Sequence, residues 1–236
     1  MKKTLISVLC LIAALAVLAF PAHGQRRRSP GRPTTQAKPL PPKESITNTL
    51  PDGGSVKDGV YTNEYFGLEF IVPEGWRVAD EESRRQLNRQ ASEVMAGDSK
   101  DMQKLLRRAE GQTINLFTIA KFLPPESDGR TVTMRGAAEP VQTWLFKTGE
   151  EYLGQVRRIL ERTAVKPEYD GPVTKEIIGG VEFATMHLRM NYYGAIVKQK
   201  LSVTIRKGHA IILTKSYLDE EGAQVIEEVA KTIKFK

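Results

Sequence analysis

Acid–base and metal chemistry would have to come from a short supply of side chains. His187 and His209 are the only histidines beyond residue 23, and they fall on separate predicted strands with no HExxH-type spacing. A metal site needs three or four converging ligands, so neither imidazole is expected to hold a metal or act as a general base. His209, beside the Gly208 turn, is expected to be solvated, and His187, in "TMHLRM", to sit on a sheet face with a hydrogen-bond partner. The carboxylate pairs Glu81 and Glu82, Glu150 and Glu151, and Glu220 and Glu221 stand at predicted helix starts, where the helix dipole favours negative charge. Neighbours on a helix point to different faces, so none of these pairs can make the facing carboxylates of glycoside hydrolysis. No GxSxG elbow, phosphate-binding glycine loop or dinucleotide fingerprint occurs. The sequence therefore offers no catalytic residue, no metal ligand set and no cofactor motif. What remains is aromatic. Trp144 in "VQTWLF" and the pair Tyr192 and Tyr193 in "MNYYGA" are the candidate residues for binding a ligand or partner, because exposed aromatics anchor interfaces. The competing expectation is that one tyrosine of the pair packs inward by strand alternation.

The chain opens with Lys2 and Lys3, an apolar run from Leu5 to Phe20, and Ala22, His23 and Gly24 before Gln25. This is the pattern of a secretory signal over 1–24. It implies export to a periplasmic or extracellular location, with a tether to the membrane if the segment is not cleaved. Cys10, the one cysteine, lies within that run, so disulfides and thiolate sites are excluded from the remainder. The net charge of +7 is unevenly placed. Residues 1–43 hold eight basic residues and no acid, leaving 27 basic against 28 acidic residues in 44–236. A bulk-charge case for nucleic-acid binding thus fails for the folded part. Residues 25–59 are rich in Pro, Gly, Ser and basic residues, and are expected to form a disordered linker. In it Arg26, Arg27, Arg28 and Arg32 could touch an anionic surface.

Residues 60–236 are expected to form a single α+β domain. "VYTNEYF" and "LEFIVP" read as short strands bent at Gly67, with a Pro73-Glu74-Gly75 turn before Trp76. Residues 80–110 carry two stretches of helical period, capped by Asp80 and Asp98 and interrupted at Gly97: two consecutive helices or one kinked one. "TINLFTIAKF" reads as a central strand, and "TVTMRGAAEPV" as its antiparallel partner, weakened by Gly136. Thr148 and Glu151 form a capping box for the next helix. Gly179 and Gly180 make a tight hairpin turn, three strands follow as a meander, and a helix capped by Asp219 closes the chain. A central antiparallel sheet with helices on both faces, an α/β/α sandwich, is the economical packing.

The stretch "YTNEYFGLEFIVPEGWRV" (61–78), with the closing "RKGHAIILTKSYLDEEGAQVIEEVAKTIKF" and the helix "TGEEYLGQVRRIL", resembles the PsbP-like fold family. That family joins the extrinsic oxygen-evolving subunit of photosystem II, secreted bacterial proteins and a Ran-binding import factor. The resemblance covers most of 60–236 and departs from the family in the long charged helical region 80–110. It implies a noncatalytic binding or assembly role in the cell envelope rather than an enzyme. The partner would be a protein or envelope component, with no specific nucleic acid. The alternative is a carrier holding a lipid or small apolar ligand between sheet and helices.

Overall fold

A computed structural model describes residues 53–122, 131–192 and 194–236. The segments 1–24 and 25–52, with the four arginines, lie outside them, as does Tyr193. The fold is α+β, with four helices and two antiparallel sheets among the described residues.

The smaller sheet has strands β1 (Ser55–Lys57), β2 (Val60–Asn63), β3 (Leu68–Ile71) and β12 (Lys234–Phe235), in the order β1-β2-β3-β12. Strand β1 falls where linker was expected, so ordered chain begins before residue 60. The cause is pairing: Val56 lies opposite Tyr61, and a polar segment needs no apolar face of its own to complete a ladder. The larger sheet joins β4 (Arg77–Val78), β5 (Ile114–Phe122), β6 (Thr131–Pro140), β11 (His209–Tyr217), β10 (Ala195–Arg206), β9 (Val181–Tyr192) and β7 (Glu168–Tyr169) in that order, with β8 (Thr174–Ile178) also paired to β9. The expected meander is β9, β10 and β11. The β8–β9 turn has Gly179 and Gly180 at φ 58° and 82°, the left-handed pair that a two-residue hairpin demands.

Gly136 does not weaken β6. A Cβ there would lie 2.3 Å from the Phe117 ring, so the missing side chain is the space into which Phe117 packs from β5. The ladder between those strands shifts register at Asn115 and Phe117, a bulge that re-aims the aromatic.

Strand alternation sends β11 into two cores. Ile211 and Leu213 pack with Tyr61, Phe66, Phe70, Phe117 and, from α4 (Glu220–Ala230), Ile226 and Val229. Ala210 and Ile212 pack instead with Tyr152, Leu153 and Val156 of α3 (Gly149–Leu160). The same second core receives Ala91 and Met95 of α1 (Glu81–Ala96) and Met102 and Leu106 of α2 (Lys100–Glu110). Residues 80–110 are thus two helices, divided at Gly97. Asp80 caps the first as expected, whereas Ser99 rather than Asp98 caps the second.

Candidate functional site: the loop between β6 and α3

Residues 141–148, "VQTWLFKT", connect the end of β6 to α3. Their local chemistry makes a loop that is fixed at its base and exposed at its crest. At one end the Val141 amide donates to the Gly208 carbonyl at 2.9 Å, which ties the loop to the β10–β11 turn. At the other, the capping box holds: the Glu151 amide donates to Thr148 Oγ1 at 3.2 Å, and Glu151 Oε2 accepts from the amides of Lys147 and Thr148 at 2.7 and 3.3 Å. Between them the Gln142 carbonyl accepts from the amides of both Leu145 and Phe146 at 2.8 and 3.0 Å. Val141 and Phe146 turn inward against the core, Phe146 with its ring 5.6 Å from that of Tyr152. Below them the carboxylate of Glu139, fully buried, accepts from Tyr152 Oη at 2.6 Å and from Thr113 Oγ1 at 3.2 Å. With both flanks anchored, Trp144 and Leu145 are left in solvent, 70% and 40% exposed. Exposing an indole forgoes the large apolar burial a tryptophan can contribute, so its position at the apex of a fixed loop is a cost to the folded chain alone.

Trp144 and Tyr192 do not converge. Tyr192 ends β9 opposite Ala195, at the start of β10, while Trp144 follows the strand end beside the β10–β11 turn. Twelve residues of β10 separate these ends, about 40 Å at strand rise. Tyr193 lies outside the described residues.

The histidines are also apart. His209 is buried, not solvated: its Nδ1 lies 2.7 Å from the Lys207 carbonyl oxygen, and its ring meets Tyr65 and Phe66 edge to face. The aromatics of β2–β3 cover the turn that carries it. His187 is half-buried on β9 opposite Lys200, and burial first, then the Lys200 charge, holds its pKa below the ordinary range. Among the described residues no group of three or more His, Cys, Asp or Glu could hold a metal ion.

One constellation that sequence reasoning missed looks chemical. On the sheet face under α4, Glu176 accepts from Thr185 Oγ1 at 2.8 Å and Ser202 Oγ at 2.5 Å, and pairs with Lys200 at 2.6 Å. Glu227 of α4 takes Lys200 at 3.2 Å and the buried Lys215 at 2.8 and 2.9 Å. Burial alone would raise the Glu176 pKa, but hydrogen bonds from Lys200, Ser202 and Thr185 and the field of Lys215 outweigh it and bring it to about 2. So acidic a carboxyl is a poor base at neutral pH, and Ser202 is not activated by its short contact. Two ammonium and two carboxylate groups alternate and satisfy one another, which fastens helix to sheet. The signal was Lys215 itself, a lysine at the same parity as Ile211 and Leu213 in the apolar run "AIILTKSYL".

No family model matches the chain, and no curated protein matches it. Solved structures do. LpqN, described as involved in cell envelope biogenesis of Mycobacterium tuberculosis, is 16% identical over 71% of this chain and 83% of its own, with a TM-score of 0.41. Cyanobacterial PsbP from Synechocystis is 14% identical over 78% of this chain and 96% of its own, with a TM-score of 0.45. The family named from residues 61–78 is therefore among the matches.

Proposed function

We propose that this chain is an exported, noncatalytic binding module, and that the β6–α3 loop with Trp144 at its crest is its working surface. The observation that carries this reading is the 70% exposure of Trp144 on a loop hydrogen-bonded at both ends. A preformed exposed aromatic gives binding energy with little ordering cost. The N-terminal signal pattern supports a periplasmic or extracellular site of action, and the basic stretch 26–43 a spacer between the envelope and the domain. In the same reading the domain is an α/β/α sandwich, with α1, α2 and α3 over one sheet face and α4 with the smaller sheet over the other. The partner is a protein or other component of the envelope. No observation favours the carrier alternative. On the face that α3 covers, the sheet positions beside the apolar core hold buried Thr133, Ser216 and Gln199, a poor lining for an apolar ligand.

Sedimentation of the purified chain with isolated envelope fractions tests the reading. Trp144→Ala is expected to lower the bound fraction by an affinity factor of about 30, the size of an interface hot spot. Unchanged sedimentation would remove this loop as the working surface.

A further inference from the structure

We propose that the Trp144–Leu145 crest, with Lys147 and Lys207 beside it, docks on the surface of an anionic lipid bilayer. This rests on the reading above that the β6–α3 loop is the working surface, and it names the partner's chemistry. The crest is small and amphipathic: an exposed indole and an exposed leucine, preceded by the uncharged Gln142 and Thr143. Tryptophan is the side chain best suited to the headgroup level, where one end is apolar and the other wet.

Within the loop the charge has one sign. From Pro140 to Thr148 there is no acid, and Lys147 is exposed. The β10–β11 turn, tied to the loop through Val141 and Gly208, adds the exposed Lys207, whose Nζ donates to the Tyr65 carbonyl, while Arg206 is turned away to the Lys236 carbonyl. Carboxylates lie only on the adjoining elements. Glu151 caps α3 and Glu139 is buried under Tyr152, while Glu150 and Glu64 are exposed on the elements to either side. Each cation held near an anionic surface adds attraction, while a protein partner for so small a crest would have to supply a matching pocket.

The chain enters the fold at the same end. Tyr61 Oη donates to the Gly53 carbonyl at 3.1 Å, and Gly53 packs on the Asn115 carbonyl. Asn115 pairs with Ala137, three residues before the end of β6 that leads into the loop. Residues 1–43, with eight cations and the apolar run from Leu5 to Phe20, therefore join the domain in the half that carries the crest. A bilayer holding that segment would lie within a chain's length of the end that carries Trp144.

Fluorescence of the full chain reconstituted in vesicles tests the proposal at the crest itself. Of the two tryptophans, the signal lost in Trp144→Phe is that of Trp144. Vesicles of phosphatidylcholine with phosphatidylglycerol, carrying brominated acyl chains, are expected to quench it at least twofold and to shift it to the blue. Lys147→Glu with Lys207→Glu should abolish most of that quenching, bringing it below about 1.2-fold, and high salt should weaken it. Equal quenching in pure phosphatidylcholine would overturn the anionic part of the proposal. If no vesicle quenches Trp144 but a lipid-free envelope extract shifts its emission, or the shift follows protein concentration alone, the bilayer is the wrong occupant and the working-surface reading stands. A Trp144 signal that responds to nothing would overturn both.

Discussion

Lys207 holds φ at 47° beside Gly208 at 72°, a pair of left-handed residues that two-residue hairpins ordinarily fill with Asn-Gly. A lysine in that region costs about 1 kcal/mol. Part of this is offset, because its Nζ donates to the Tyr65 carbonyl and lies 5.4 Å from the Tyr65 ring centroid. Lys207→Asn is therefore expected to keep or raise stability, by up to about 1 kcal/mol in urea unfolding, while weakening the vesicle response of Trp144. A loss of stability above about 1 kcal/mol would mean that the Tyr65 contact outweighs the backbone strain. At this scale the sequence was only partly legible. "TWLF" offers three large apolar side chains in a row, and a linear pattern cannot say that Phe146 folds onto Tyr152 while Trp144 and Leu145 stay out. That choice belongs to the hydrogen bonds at the loop's two ends, one of which comes from residue 208.

Among the elements, α4 is joined to the sheet by apolar contacts on one side and by the Glu227, Lys200, Lys215 and Glu176 chain on the other. Glu176 has its folded pKa near 2 against 4.5 when unfolded. Its contribution is thus fully present above about pH 5 and is lost as the pH falls toward 2, as the unfolded chain takes up the proton first. Solvent reaches part of the group, so the expected size is about 1–2 kcal/mol. Urea unfolding followed from pH 5 downward should show this slope, and Glu176→Gln should flatten it; an unaltered slope in that variant would assign the acid sensitivity to other groups. Elements built on local pattern were legible: the two helices of 80–110, the Thr148–Glu151 capping box, the Gly179–Gly180 hairpin and the meander. The ionic chain was not, since its four charged members come from β8, β10, β11 and α4 and meet only through cross-strand register.

For the whole molecule, the division into two sheets was the least legible feature. Strands β1 and β12 have three and two residues, too few for a period, and each exists because a distant ladder accepts it. The end of the chain does more than complete a strand. The Lys236 amide donates to the Gly67 carbonyl at 2.8 Å, its Nζ meets Glu69 at 2.6 Å, and its carbonyl accepts from Arg206 at 3.1 Å. The Phe235 amide reaches the Gly179 carbonyl at 3.3 Å. Deleting residues 234–236 should cost about 2–3 kcal/mol from these hydrogen bonds and lower the melting temperature by roughly 5–10 °C. A thermal scan that places the shortened chain within about 1 °C of the full one would show that β12 is an ornament of the small sheet rather than a clasp. Pairing Glu69 with Lys236 joins residues 167 apart, and closing so long a loop comes late in folding. A chain threaded across a membrane from its amino end therefore presents β1, β2 and β3 well before their last partner has crossed. During that interval the outer edge of β3 is open to any strand it meets, so in a chain exported as proposed above the speed of export would set how long β3 is at risk of pairing with the wrong one.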